Sequence, residues 1–243
     1  MELTVLFDVD NTLLDNDRAK RALDARLAEL LGAAGAARFW GDYEAIRAET
    51  GMVNIPLTMA RYDEAMEEGA EPADPGARRR QRFALADLVM GFPYGEFLYP
   101  GALDAIAYAR TFARVAILSE GDPTFQPSKI WRAGLDHAVA GNVLVFDHKI
   151  DHLAEVVAAF PADHYVLVED KPDILRETRS QLGERLTTVF VRQGKYADAV
   201  LAPPPPDIEL ATIGDLLTLG PGDLTAKHIP LTPAKAACIL RGP

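Results

Sequence analysis

Residues 4–14 read Thr-Val-Leu-Phe-Asp-Val-Asp-Asn-Thr-Leu-Leu, and they contain the strongest signal in the chain. An apolar run that is typical of a buried strand ends there in two aspartates, Asp8 and Asp10. Because the side chains of an extended chain alternate between two faces, both carboxylates are expected on the same side. Like charges held this close disfavour ionisation unless a cation neutralises them or one carboxyl keeps its proton. Taken alone, the pair is also compatible with a solvated turn after a strand.

Short apolar, β-branched runs recur along the chain and predict further strands. With the first, they are Leu3–Phe7, Val115–Leu118, Val143–Phe146, Tyr165–Val168, Thr187–Val191 and Ile208–Leu210. Helical patterns separate most of them, and one apolar stripe runs from Ile150 to Phe160, directly before Pro161. Strands that are apolar throughout and linked by helices indicate a parallel sheet covered on both faces. We therefore predict an α/β fold with a doubly wound, Rossmann-like core.

The chain between residues 15 and 95 has helical patterns and no convincing strand. A leucine stripe ends at Gly32, and further helical stretches lie at 36–50, 56–68 and 77–90. An insert of about eighty residues is too long for a loop, so it should form a helical unit of its own. The predicted domains are an α/β core of residues 1–14 and 96–220, an inserted all-helical domain of residues 15–95, and a C-terminal tail of residues 221–243.

The composition is that of a soluble globular protein, and it limits the partners. The net charge of −11 argues against nucleic acid and anionic membranes, because phosphate groups are bound by clustered Lys and Arg. The single cysteine, Cys238, excludes an internal disulfide framework and fits a reducing compartment. No apolar run reaches membrane-spanning length, and the first strand begins without a signal-peptide pattern. We expect a cytoplasmic protein, monomeric or homodimeric, that binds neither nucleic acid nor a membrane.

Polar side chains follow three of the predicted strands at the point where each strand ends. The three segments are Asp8-Val9-Asp10, Ser119-Glu120-Gly121 and Glu169-Asp170-Lys171. The carboxyl ends of parallel strands share one edge of the sheet, and open α/β sheets bind their ligands there. An acid that follows a fully apolar strand is costly to bury without a partner, so the arrangement indicates a functional site rather than ordinary turns.

These segments, taken in order, resemble the four motifs of the haloacid dehalogenase superfamily. The match runs from Asp8-Val-Asp10-Asn11-Thr12 through Ser119 and Lys149 to Glu169-Asp170, and it covers residues 1–220. The helical insert looks like the helical cap of that superfamily, of the C1 type. The resemblance implies a haloacid dehalogenase-like hydrolase of the phosphatase type. Such an enzyme would have an α/β core, a helical cap, Mg²⁺ as cofactor and a small-molecule phosphate ester as substrate.

The resemblance also implies a role for each acidic motif residue. Asp8 would be the nucleophile that takes the phosphoryl group as an aspartyl-phosphate, and Asp10 the general acid and then the base. Mg²⁺ would bind the Asp8 carboxylate, the Asp10 main-chain carbonyl and Asp170, with Glu169 as a further or water-bridged ligand. The cation would also reduce the repulsion between the anionic nucleophile and the anionic substrate.

The same resemblance implies that a hydroxyl, main-chain amides and a lysine bind the phosphate oxygens. Ser119 would donate to one oxygen, helped by amides near Asn11 and Gly121. Lys149 would pair with both Asp8 and the phosphate, which stabilises the charge of the transition state.

Two other lysines compete with Lys149 for the catalytic position. Lys171 directly follows the acids of the last segment, and Lys129 lies in a helical stretch. We interpret Lys129 as part of a solvated helix face. Lys149 is favoured because it follows a predicted strand and lies at a more suitable distance before Asp170.

Two residues help to separate the reactions that this scaffold can perform. Asp10 favours phosphoryl transfer over dehalogenation, since a halide leaves without a proton whereas an alkoxide needs one. Glu120 stands where the superfamily often has asparagine, and an acid that points inward there would repel phosphate. It would have to point away or bind a positive or hydroxyl-bearing group of the substrate. A sugar phosphomutase similar to β-phosphoglucomutase, and a binding or regulatory protein without turnover, are the alternatives.

Substrate specificity is expected to depend on the cap, because a cap that closes over the site excludes water and contacts the leaving group. Arg47, Asn54 and Arg61 are candidate substrate contacts, although a surface position is the simpler interpretation of each. Trp40 and Tyr43 are interpreted as cap core rather than as a platform for the substrate. The sequence does not identify the substrate.

Overall fold

The computed structural model describes residues 2–68 and 75–225, and the fold is built on a parallel sheet. Within those residues its six strands are β1 (Leu3–Phe7), β2 (Arg114–Glu120), β3 (Val143–Phe146), β4 (His164–Glu169), β5 (Leu186–Val191) and β6 (Ile208–Leu210). They lie in the order β3-β2-β1-β4-β5-β6, and each neighbouring pair is parallel. The strand order reverses between β1 and β4, and an open α/β sheet binds its ligand at such a reversal.

The predicted strands are all present, and β2 and β4 run further than predicted. Their pairing continues to Glu120, which lies opposite Phe146, and to Glu169, which lies opposite Phe190. Ser119, Glu120 and Glu169 therefore belong to strands rather than to the turns after them. Strands pair through backbone hydrogen bonds, which polar side chains do not prevent. A strand whose last residues are polar therefore looks shorter in the sequence than it is in the structure.

α-Helices cover both faces of the sheet and form the insert between β1 and β2. In the described residues they are α1 (Asn16–Thr50), α2 (Ile55–Glu68), α3 (Pro75–Met90), α4 (Ala102–Ala109), α5 (Phe125–Arg132), α6 (Leu135–Ala138), α7 (Leu153–Ala159) and α8 (Pro172–Leu182). Two buried apolar clusters share the strands, with Val5 and Phe7 in one and Leu6 in the other. Because successive side chains of a strand point to opposite faces, both faces are covered, which confirms the doubly wound core.

Helices α1, α2 and α3 form the insert between β1 and β2, which is the predicted cap. Helix α1 is interrupted at Gly32, whose φ of 75° lies in the left-handed region that glycine adopts readily. The break coincides with the predicted end of the leucine stripe. Asp15 caps the start of α1, since its side chain accepts a hydrogen bond of 2.9 Å from the Arg18 amide. The cap therefore begins directly after the loop that contains Asp8 and Asp10.

Three segments of the chain lie outside the described residues: residue 1, residues 69–74 and residues 226–243. Most of the predicted tail, 221–243, falls there, as does Cys238. In the part of the chain that the structure describes, no helix is both long enough and apolar enough to cross a membrane.

Phe39 and Phe83 provide a matched test of the cap core. Phe39 is fully buried, with its ring centroid 5.4 Å from that of Trp40 and 6.1 Å from that of Tyr62, whereas Phe83 is 74% exposed. Phe39→Ala leaves a cavity, so it should lower the free energy of unfolding by about 3–5 kcal/mol. Phe83→Ala should change it by less than about 0.5 kcal/mol. Denaturant unfolding measures both values, and equal losses would contradict this packing.

Candidate active site

A fully buried lysine joins the first and last of the predicted segments. Lys149 begins a 3-10 turn after β3, and its Nζ donates to Asp8 Oδ1 at 2.8 Å and to Glu169 Oε2 at 2.5 Å. Thr12 Oγ1 donates to the other Asp8 oxygen at 3.1 Å. Asp8 directly follows β1 and Glu169 ends β4, so the neighbouring parallel strands place both acids at one edge. Lys149 is thus the candidate lysine that reaches Asp8, as predicted.

Burial and charge act in opposite directions on this cluster. Burial disfavours the ammonium of Lys149, but the charges of Asp8 and Glu169 outweigh it, and the pKa of Lys149 is raised. Burial and the neighbouring Asp8 charge raise the pKa of Glu169, although Lys149 acts against them. Lys149 is therefore held in its charged form, and it offsets the repulsion between the two acids.

Asp170 is the acid of this cluster that keeps an unsatisfied oxygen. It is 1% exposed, and its Oδ1 accepts no hydrogen bond from the described residues. Burial and the charges of Glu169 and Asp8 raise the pKa of Asp170 to about 10. Ligand oxygens of Asp8, Glu169 and Asp170 all lie within 4.8 Å of one another. An orphaned acceptor among clustered carboxylates fits a hard divalent cation such as Mg²⁺, which prefers oxygen ligands.

Helix α5 holds the second aspartate of the first segment. Gln126 Nε2 donates to Asp10 Oδ2 at 3.2 Å and to Ser119 Oγ at 2.9 Å. Lys129 Nζ donates to Asp10 Oδ1 and, at 2.7 Å, to Asn16 Oδ1. The side chain of Asp10 is 29% exposed, so it lies at the surface of the site while both its oxygens have donors.

The interpretation of Lys129 as part of a solvated helix face is wrong. The side chain is 5% exposed and forms an ion pair with Asp10. Gln126 and Lys129 are one helical turn apart, so the same face of α5 presents both to the sheet edge. A lysine that pairs with an acid far along the chain looks identical in sequence to one that faces water. Gln126 was not predicted as a site residue either, because the sequence does not show which distant residues this face of α5 contacts.

Glu120 forms an ion pair with Lys171 and is not an unpaired negative charge in the site. Its carboxylate accepts a hydrogen bond of 3.2 Å from Lys171 Nζ. Burial disfavours the charge of Lys171, but Asp8 and Glu169 outweigh it and raise its pKa. The third candidate lysine therefore neutralises the acid that replaces the usual asparagine, and Glu120 no longer argues against an anionic ligand.

A glutamine after β5 supports the loop of the first segment. Gln193 Nε2 donates to the carbonyl of Thr12 at 3.0 Å and to that of Asn11 at 3.4 Å. Asn11 has a φ of 61°, a strained conformation for a residue with a side chain. Gly194 lies so close that a Cβ on it would be 2.4 Å from Asn11 Cβ. The sequence contained no signal for Gln193, because the contact depends on the order of the strands.

A cavity of about 460 Å³ lies between the core and the cap. Its walls include Asp10, Asn11, Glu120, Gly121 and Asp170 from the core and Trp40, Tyr43 and Arg47 from the cap. This volume suits a small metabolite. Trp40 and Tyr43 both pack against the apolar core and line the cavity. Asn54 instead caps α2 through the Leu57 amide, and Arg61 pairs with Glu49, as their surface interpretation predicts.

Comparison with known proteins gives one family. A family model described as haloacid dehalogenase-like hydrolase matches residues 3–209. The structure of a haloacid dehalogenase-like hydrolase from Burkholderia xenovorans LB400 is 36% identical, with a TM-score of 0.78, over 93% of this chain and 99% of that one. No curated protein matches in sequence.

More distant solved structures share the fold. The HAD-hydrolase YfnB of Bacillus subtilis, crystallised with magnesium, is 20% identical with a TM-score of 0.54, over 90% of this chain and 99% of that one. The L-2-haloacid dehalogenase of Xanthobacter autotrophicus is 19% identical with a TM-score of 0.52, over 90% and 98% of the two chains. At these identities the likeness concerns the fold alone.

Removal of the Lys149 charge should destabilise the protein. Lys149→Met leaves Asp8 and Glu169 buried without their cation, and breaking such a pair costs about 3–5 kcal/mol of unfolding free energy. A second substitution, Glu169→Gln, should recover part of this loss because it removes one of the two repelling charges. The exposed Lys195 is the control, and Lys195→Met should change the value by less than about 0.5 kcal/mol. The measurement is denaturant unfolding in metal-free buffer, and an undiminished stability of Lys149→Met would contradict the assigned pair.

Proposed function

Because the chain belongs to the haloacid dehalogenase-like hydrolases, we propose that it is a Mg²⁺-dependent phosphohydrolase. It would remove phosphate from a small phosphorylated metabolite through an aspartyl-phosphate on Asp8. The proposal depends on one observation. Asp8 accepts a hydrogen bond from the ammonium of Lys149 and has an oxygen within 4.8 Å of an oxygen of the incompletely satisfied Asp170, while Asp10 lines the adjoining cavity.

Mg²⁺ would be held by the Asp8 carboxylate, the Asp170 carboxylate and the main-chain carbonyl of Asp10. Both oxygens of Glu169 have donors, from Lys149 Nζ and from the Lys171 amide at 3.1 Å. Glu169 would orient Lys149 and would be a further or water-bridged ligand of the ion. When bound, the ion neutralises charge that develops on the transferring phosphoryl group.

The reaction would have two steps that Asp8 and Asp10 share. In the first, an Asp8 oxygen attacks phosphorus, the bond to the leaving oxygen breaks, and Asp10 gives that oxygen a proton. In the second, water attacks phosphorus, Asp10 takes a proton from it, and the Asp8 carboxylate is released together with inorganic phosphate. Each step leaves Asp10 in the protonation state that the other requires.

Ser119 and Lys149 would bind oxygens of the phosphoryl group. Ser119 Oγ already accepts a hydrogen bond from Gln126, so the hydroxyl hydrogen is available for an anion. Lys149 would place its charge beside both the nucleophile and the transferring group. Main-chain amides near Asn11 and Gly121, two residues that line the cavity, would complete the binding of phosphate.

Asp10 supports phosphate esters over organic halides as substrates. Several structural neighbours are haloacid dehalogenases, so the alternative is dehalogenation by the same nucleophile. A halide leaves without a proton, so dehalogenation would not need Asp10 as a general acid. This chain places Asp10 at the cavity and supplies both of its oxygens with donors from α5. The carboxylate cluster around Asp170 also suits a cation that offsets a multiply charged substrate.

Asp8→Asn tests the nucleophile. The wild-type protein should release phosphate from 4-nitrophenyl phosphate in the presence of Mg²⁺, and Asp8→Asn should lower kcat by about a thousandfold or more. Asp104 lies exposed on α4, and Asp104→Asn should keep the wild-type rate. Colorimetric assays of nitrophenol and phosphate measure both products.

Three results, from this assay or from the same assay design with other substrates, would count against the proposal. They are equal activity of Asp8→Asn, release of chloride from 2-chloropropionate without any phosphatase activity, and transfer of phosphate back to a sugar. The last would identify a phosphomutase, because a hydrolase releases one inorganic phosphate for each alcohol.

Asp170→Asn tests the cation site independently of turnover. Saturating Mg²⁺ at a hundred times its Kd should stabilise the wild-type protein by about 2.7 kcal/mol, which raises Tm by about 5–10 °C. Asp170→Asn should lose this shift because it removes a charged ligand. Asp173 lies in the first turn of α8 with its side chain 75% exposed, and Asp173→Asn should retain the shift. Thermal unfolding with and without Mg²⁺ is the measurement, and an unchanged shift in Asp170→Asn would exclude this ligand.

A further inference from the structure

Both oxygens of Asp10 are held by neighbouring side chains of one helix. Lys129 donates to Oδ1, and Gln126, one turn earlier in α5, donates to Oδ2 at 3.2 Å. Asp10 lies on the loop after β1, where the carboxylate could otherwise rotate freely. Two donors from a rigid helix leave it a single orientation.

We propose that Lys129 is a positioning residue that holds Asp10 for proton transfer to and from the substrate. The inference rests on the proposed function of Asp10. Lys129 acts through Asp10, whereas Lys149 acts on Asp8, so the two buried lysines serve different parts of the reaction. General acid catalysis requires the acid within hydrogen-bond reach of the leaving oxygen, and a misplacement of about 1 Å can cost a hundredfold in rate.

The burial of Lys129 supports the proposal that its ammonium has a function beside Asp10. An ammonium is costly to remove from water, and an apolar residue at this position of α5 would avoid that cost. The ammonium forms an ion pair with the Asp10 carboxylate, and it lies 5.5 Å from the centroid of the Tyr94 ring. Its side chain also lines the cavity. The charge is therefore placed beside the acid–base group and at the wall that the leaving group would meet.

Lys129 also connects Asp10 to the cap. Its second hydrogen bond, of 2.7 Å, goes to Asn16 Oδ1, and Asn16 is the first residue of α1. One ammonium thus fixes the acid–base carboxylate and the beginning of the cap together.

The test compares esters whose leaving groups differ in their need for a proton. With Mg²⁺ present, kcat/KM is measured for 4-nitrophenyl phosphate and for phenyl phosphate, whose phenolate is more basic and gains more from an acid. Lys129→Met should lower kcat/KM for phenyl phosphate about 10- to 100-fold, and by clearly less for 4-nitrophenyl phosphate. Arg132→Met removes a cation from an exposed position of the same helix and should leave both values unchanged. Lys129→Gln, which retains a hydrogen-bond donor, replaces the first variant if Lys129→Met does not fold.

A double-mutant cycle with Asp10→Asn shows whether Lys129 acts through Asp10. In the Asp10→Asn background, Lys129→Met should change kcat/KM by less than about twofold, because the carboxylate that it holds is gone. Equal losses on both esters in the single variant, or a full additional loss in the double variant, would overturn the proposal. A wild-type protein that hydrolyses neither ester would instead contradict the proposed function.

Thermal unfolding of the same four proteins provides a readout that needs no turnover. If Lys129 holds Asp10, the decreases in Tm of Lys129→Met and Asp10→Asn should be less than additive in the double variant. Additive decreases would show that the two side chains are not coupled, and the proposal would fail even for an active phosphatase.

Discussion

The hydrogen bonds from the buried ammonium of Lys149 to Asp8 and Glu169 are the interaction on which the site depends. β1 and β4 are parallel neighbours, so the acids that follow or end them meet at one edge of the sheet. Carboxylates whose oxygens lie within 4.8 Å repel strongly in an interior that screens charge poorly. A single cation bonded to two of them, Lys149, offsets this repulsion and allows the edge to be buried.

Three lysines form ion pairs with different acids at this edge of the sheet. The pairs are Lys149 with Asp8 and Glu169, Lys129 with Asp10, and Lys171 with Glu120. Among the described residues, Asp170 is the acid of this edge that has a buried oxygen without a donor. This oxygen lies in the cluster of Asp8, Glu169 and Asp170, whose donor set fits a divalent cation. Asp8 and Asp10 each pair with a different lysine, and the two lysines lie on different elements.

Much of the fold and part of the site could be predicted from local pattern. The apolar runs at 3–7 and 165–168 identified neighbouring strands, and the acids after them identified the sheet edge. Gly32 marked a real interruption of α1. The ends of β2 and β4 were placed too early, because Ser119 and Glu169 are polar yet still paired through their backbones. Lys129 was misjudged, because helical periodicity does not distinguish a face that meets water from a face that meets a distant acid.

The sequence by itself determined the α/β class, the helical insert and the acids that gather at the sheet edge. These follow from hydrophobic periodicity and from residue order, both of which are local properties. Only the tertiary structure decided that Lys129 pairs with Asp10 and that Lys171 pairs with Glu120. It also decided that Gln126 joins Asp10 to Ser119 and that Gln193 supports Asn11. The physical reason is that Coulombic and hydrogen-bonded pairing depends on distance in space. Lys129 and Asp10 are 119 residues apart in the chain, and the order of the strands alone brings them together.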